Sequence, residues 1–170
     1  MEKAIKNRRQ LFSALKKAGE NPDILSQIAA SYYDEKNYKK AYVYDRRAWM
    51  CNKKNAIHLA NLAADLEMMG WHEKAIVLSK GIINWRIDKI CKYTGVGIRR
   101  AKSIKNDCRY RISLSYYKLK EDNMARRYLN LYFKIKKRDN LTTFIKNEDQ
   151  KGHWRDLNLD GKMKVWKESS

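Results

Sequence analysis

Small residues recur at a fixed spacing along this chain. Ala29 and Ala41 stand twelve apart, as do Ala63 and Ala75, and Ser113 and Ala125. A shift of 34 residues lays the first pair on the second. Around each pair the apolar positions keep step: Leu25, Ile28 and Tyr32; Leu59, Leu62 and Leu66; then Ile112 and Tyr116. Downstream come Tyr44 and Ala48, Leu78 and Ile82, and Tyr128 and Tyr132. Close packing of paired helices explains such a pattern. A small side chain on each helix lets the two approach, and large ones a turn away fill the space beside them. A tight turn must join the pair, and Gly70 supplies one. Asp34-Glu35-Lys36-Asn37 and Lys120-Glu121-Asp122-Asn123 fall at the matching places.

Composition agrees with helix. One proline and seven glycines in 170 residues leave few turns for a β architecture, and 44% hydrophobic content excludes a disordered chain. The fold class expected is therefore all-α.

The 34-residue period, the small/small pair and the aromatic between them resemble the tetratricopeptide repeat. Ile28-Ala29-Ala30-Ser31-Tyr32-Tyr33 and Ile112-Ser113-Leu114-Ser115-Tyr116-Tyr117 are similar to that family's first-helix signature. The resemblance covers roughly residues 22–138 and implies a right-handed α-α superhelix of about three helical hairpins. The family's early tryptophan and its proline between repeats are absent, and Arg109 stands where an apolar residue is usual. The run from Gly97 to Arg111 is also similar to a bacterial subgroup of these proteins whose role is unassigned.

The expected organisation has an N-terminal packing helix in residues 1–20, with Ile5, Leu11, Phe12 and Leu15 on one side. Repeats follow at 22–55, 56–89 and 106–138, the first opened by Asn21 as cap and Pro22 in the first turn. The insertion at 90–105 holds a loop at Tyr93-Thr94-Gly95-Val96-Gly97. A helix extension then runs into the third repeat, giving one long helix from about Gly97 to Lys118. Residues 139–170 form a cap or a mobile tail. There Leu141 to Lys146 is expected as a short helix, and Trp154, Leu157, Leu159 and Trp166 dock onto the last repeat.

Thirty-eight Lys and Arg against nineteen Asp and Glu leave a net charge of +19, a strong field for anionic partners. No apolar run reaches the roughly 20 residues of a membrane span. Met1 to Arg9 is basic without the features of a secretory signal. Cys51, Cys91 and Cys108, odd in number and far apart, read as reduced thiols, and a cytoplasmic location is expected.

No catalytic motif stands out. His58, His72 and His153 are scattered, so no metal site is expected, and no cofactor motif occurs. Asp65 and Glu67 point different ways from one helix, which argues against shared acid/base work, and Met68-Met69 reads as core plus rim. The chain is read as a non-enzymatic interaction scaffold.

In the family resembled, first helices line a concave groove for extended peptides. That groove would hold Ser26, Ala30, Tyr33, Ala60, Ala64, Glu67, Tyr110, Leu114 and Tyr117. Of the family's carboxylate clamp, only Asn61 and Arg111 match; Ser26, Ala30 and Asp107 depart from it. The candidate groove residues are Tyr33, Asn61, Tyr110, Arg111 and Tyr117, for a protein or peptide partner of acidic character. A second candidate surface is a basic stripe of Arg99, Lys102, Lys105 and Arg109, joined by Arg126 and Arg127 on the next helix. It could meet an acidic protein or, alternatively, neutralise the phosphates of RNA or DNA.

Overall fold

Asparagine decides where three of the helices begin. Asn21 accepts from the backbone N–H groups of Asp23 and Ile24 at 3.0 and 3.2 Å. Pro22 fills the first turn, where a missing N–H costs nothing. Asn37 caps through Lys40, and Asn55 through Ile57 and His58. A computed structural model describes residues 2–157, with side chains from residue 7 onward. Its helices are α1 (Glu2–Ala18), α2 (Pro22–Asp34), α3 (Tyr38–Cys51), α4 (Ala56–Met68), α5 (His72–Asn84), α6 (Ile87–Thr94), α7 (Ile98–Lys118), α8 (Asp122–Arg138) and α9 (Asn147–Leu157). No strand occurs among the described residues, and neighbouring helices pack against one another.

Three helix pairs, α2/α3, α4/α5 and α7/α8, are closed by the same turn. Lys36, Gly70 and Lys120 each take a left-handed backbone, with φ of 59, 81 and 64°. The next N–H in each reaches back to Tyr32, Leu66 or Tyr116, satisfying a carbonyl the helix leaves open. Only Gly70 adopts that φ without cost; a lysine there is disfavoured by about 1 kcal/mol or more. Two of the three turns are thus held by the packing of the helices they join.

That packing rests on small side chains. Ala29, Ala41 and Ala63 are wholly buried and Ala75 is 1% exposed. In the last pair the contact is explicit: Ser113 Oγ donates to the Ala125 carbonyl at 2.7 Å. Leu25, Ile28, Ile82, Ile112, Leu129 and Tyr132 fill the flanks and are fully buried.

The long helix runs as its apolar period indicates, beginning at Ile98. The insertion before it is more ordered than a loop. Tyr93 and Thr94 close α6, which buries Ile90 against α4 and α7, and Gly95 ends it with φ 71°. At the N-terminus Phe12 meets Tyr44 edge-on at 5.8 Å, and Arg8 lies over Tyr32 while its guanidinium holds Glu35. The expected place of Ile5 lies outside the described side chains.

Beyond α8 the expectation is corrected. Leu141 to Lys146 is not helical; the helix lies further on, as α9. Thr143 Oγ1 accepts the Ile145 N–H at 3.0 Å, a local bond that competes with a helix start. Leu157 enters the core of α7 and α8 and Trp154 packs beside it, whereas Leu159 and Trp166 lie outside the described residues. Met68 and Met69 are not core plus rim, since Met68 is exposed and Met69 half-buried.

Ala29→Leu should lower stability by about 1–3 kcal/mol, the usual cost of overfilling a close helix contact. Ala30→Leu, one residue on and exposed, should change it by less than about 0.5 kcal/mol. Urea unfolding of the two variants checks the pair, and equal stabilities would contradict the contact.

Candidate functional site

The first helices of the three pairs, α2, α4 and α7, share a groove, and four of the five expected groove residues lie on it. A hollow of about 690 Å³ is lined by Tyr33, Glu67, Met68, Tyr110, Arg111, Leu114, Tyr117 and Lys118. Its opposite wall is α9, through Glu148, Asp149, His153 and Asp156. Asn61 lines an adjoining hollow of about 250 Å³ with Ala60, Arg100, Asp107 and Arg111. Ala64 is buried, Ala30 is exposed, and Ser26 points into an interior polar cluster.

Arg111 is not a free cation. Its guanidinium donates to Glu67 Oε2 at 3.1 Å, and the Glu67 side chain is 4% exposed. Burial pushes the Glu67 carboxyl up while Arg111 pulls it back; burial opposes the Arg111 charge too, but Glu67 and Tyr33 hold it on. A clamp for an incoming carboxylate is absent at this arginine, because the chain's own glutamate fills it. Asn61 is also engaged, donating to Asp45 Oδ1 at 3.5 Å.

Tyr110 is corrected from a groove contact to a covered one. It is 4% exposed, and its hydroxyl donates to the Asp149 carbonyl at 3.0 Å. The segment covering it is held at several points. Asp107 accepts the Thr143 hydroxyl at 2.6 Å and the Phe144 N–H at 3.2 Å. Ser113 Oγ lies 2.9 Å from His153 Nε2, and Lys136 donates to Gln150 at 2.8 Å. Arg100 sits over the Phe144 ring at 3.4 Å. What remains open is the strip between α2, α4 and α9, where Tyr33, Leu114 and Tyr117 are half-buried and Met68 is exposed.

The basic stripe has work inside the molecule. Lys105 Nζ donates to the Trp85 carbonyl at the end of α5, at 2.7 Å. Arg99 holds the Asn140 carbonyl just past α8 at 3.0 Å, and Lys102 lies 3.4 Å from Asp139, the C-cap of that helix. Arg126 donates at 2.9 Å to the carbonyl of Leu157, where α9 ends. Each cation sits at the negative end of a helix and complements its dipole; Arg99, Lys105 and Arg126 do so on a backbone carbonyl, Lys102 on the Asp139 carboxylate. Arg109 stands in register with Leu25 and Leu59 and is half-buried, which lowers its pKa. Of the six, Arg109 and Arg127 have no described anchor, and Arg127 is exposed. The stripe is also split, since Ala125, the neighbour of Arg126 in sequence, meets Ser113 toward the opposite end of α7 from Arg99.

One constellation escaped the sequence. Asp45 of α3 and Asp65 of α4 are buried, and Ser26, His58 and Asn61 surround them. Ser26 Oγ lies 2.9 Å from His58 Nδ1 and 3.4 Å from Asp45 Oδ1. Burial pushes both carboxyls well above the carboxylate range, and for Asp65 the Asp45 charge adds to it. A proton on Asp65 lets it donate to Asp45, which gives a use to oxygens that otherwise have no donor. His58 is kept neutral by burial, and its Nε2 has no partner. No carboxylate orients that ring, so the set lacks the base-and-orienter contact of a nucleophile triad. Ser26 and Asp45 recur in no motif, and only the burial of Asp65 in an apolar stretch, Leu62 to Leu66, could have flagged it.

Among the described residues no group of three metal-binding side chains occurs, and no helix is long and apolar enough to cross a membrane. No family model matches the chain, and no curated protein matches it.

The carboxyl pair carries a pH signature. Raised folded-state pKa values mean the folded chain binds more protons than the unfolded one from about pH 4 upward, so this pair's contribution falls as pH rises toward its folded values. The pair's own contribution, read as the difference between the native chain and Asp65→Asn, should drop between pH 5 and pH 8 by at least about 1.4 kcal/mol, one pKa unit's worth. Asp65→Asn should flatten that slope and raise stability at pH 8. Chemical denaturation of both proteins at the two pH values checks it.

Proposed function

We propose that this chain is a tetratricopeptide-like, non-enzymatic scaffold that seats a segment of a partner protein in the groove between α2, α4 and α7. The repeated left-handed turns at Lys36, Gly70 and Lys120 and the buried small residues of each pair support reading the pairs as successive turns of a right-handed superhelix. The single observation that carries the functional reading is the open strip of the groove. Tyr33, Leu114 and Tyr117 leave part of their aromatic and aliphatic area open there, and Met68 is exposed beside them. Tyrosine offers large contact area at small entropy cost, and methionine adapts to what it meets.

Charge within the groove is mixed. Lys118 and Lys146 face Glu148, Asp149 and Asp156, so the groove selects an apolar or aromatic anchor rather than a run of carboxylates. The net charge of +19 acts earlier, drawing an acidic partner toward the surface. Phosphate binding by the C-terminal half has less support than it has in the sequence, because Arg99, Lys102, Lys105 and Arg126 already cap helices.

Panning a random peptide library on the purified chain at physiological salt should enrich peptides with an aromatic or aliphatic anchor. Tyr117→Ala and Leu114→Ala should each weaken them about tenfold, or roughly 1.4 kcal/mol. Arg99→Glu should not. The reading fails if nothing is enriched. It fails equally if a labelled oligonucleotide is retained with steep salt dependence and is lost with Arg127→Glu.

A further inference from the structure

The strongest unused feature lies on α3 and α5, away from the groove. On α3 the residues Lys39, Tyr42, Val43, Arg46 and Met50 follow helical spacing on one stripe. Val43 and Met50 are 52% and 50% exposed, and across from them on α5 Val77 is 67% exposed. Two hollows open along this stripe. One, of about 380 Å³, has Leu62 and Leu66 of α4 among its lining, with Tyr42, Trp49 and Val77. The other, of about 400 Å³, runs past Val43 and Met50. They meet at Tyr42 and Arg46, which line both.

Arg46 separates this face from an ordinary exposed apolar patch. Several arginines of this molecule are spent: Arg8 on Glu35, Arg47 on Glu20, Arg99 on Asn140, Arg111 on Glu67. Arg46 makes no hydrogen bond, ion pair or ring contact with a described residue. Lys74 stands nearby over the Trp71 ring at 4.3 Å. Among the described lining residues the carboxylates are Glu73 in the first hollow and Glu20 in the second, and Glu20 is already held by Arg47. A free guanidinium between two apolar hollows calls for a carboxylate between two apolar anchors.

We infer that the α3/α5 face docks an acidic amphipathic helix of a partner protein, its apolar side chains entering the two hollows and an intervening carboxylate pairing with Arg46. Helices recognised in grooves are read through anchors at i, i+3 or i+4, and i+7, which two neighbouring hollows can receive in succession. A second copy of this chain is the wrong occupant, because +19 repels +19. Paired hollows also suit protruding side chains better than a flat lipid surface. This inference places the acidic partner on a different surface from the groove and does not rest on the groove reading.

The test uses the full chain, isotopically labelled, and a designed 16-residue helical peptide with leucines on one face and glutamates on the other. Amide shifts should concentrate at Tyr42, Val43, Arg46 and Val77. Arg46→Glu and Val77→Asp, both at exposed positions, should each weaken binding at least tenfold with unchanged thermal unfolding, and Tyr117→Ala should leave it unaltered. A peptide with lysine in place of glutamate should not bind. The inference is overturned if no shifts appear at millimolar peptide, if they fall instead on Leu114 and Tyr117, or if Arg46→Glu has no effect. Phosphatidylserine vesicles that bind with the same dependence on Arg46 would also overturn it.

Discussion

Two helices lie close along their length only where small side chains meet at the crossing. Everything useful in this chain is arranged around three such meetings. Ser113 and Ala125 touch through a hydrogen bond, and the corresponding alanines of the first two pairs are sealed from solvent. Because the contact fixes how each pair is turned, α2, α4 and α7 put their free faces into a common groove. The same contact leaves α3 and α5 to flank a second set of hollows. The turns at Lys36 and Lys120 show the strength of the constraint, since a lysine is driven into a backbone conformation suited to glycine.

Electrostatics then divides into charges the fold consumes and charges it leaves over. Lys102, Lys105, Arg99 and Arg126 close the ends of α5, α8 and α9, and Arg111 neutralises a glutamate under the groove. Asp45 and Asp65, packed between the first and second pairs, hold a proton to remain compatible with burial. A net charge of +19 is therefore a poor guide to where partners sit. Arg46, which lines two apolar hollows and has no described partner, is more informative than the density of basic residues around α7 and α8.

Much of the helical framework is legible in the sequence, for reasons local to each element. Asn21-Pro22 marks a helix start by its chemistry, and the three- and four-residue apolar steps from Ile98 to Ile112 announce the long helix. Failures came where the deciding partner was remote. α6 is too short to show a period, and Ile90 reveals itself only against α4 and α7. The apolar stretch from Leu141 resembles a helix until Asp107, from another element, captures Thr143 and Phe144. Spacing puts Tyr33, Tyr110, Arg111 and Tyr117 on the inner helices, where they line one hollow, yet it could not show that α9 covers Tyr110. The basic stripe was visible, but its use depends on where three other helices end.

Methyl-labelled alanine offers the sharpest examination of the small-residue contacts. In a chain labelled only at alanine methyl groups, nuclear Overhauser cross-peaks should link Ala29 with Ala41 and Ala63 with Ala75, since each pair would occupy a single helix crossing. Assigned methyl signals with no cross-peak within either pair would mean that the helices are paired some other way, and the groove and the α3/α5 face would both go with them.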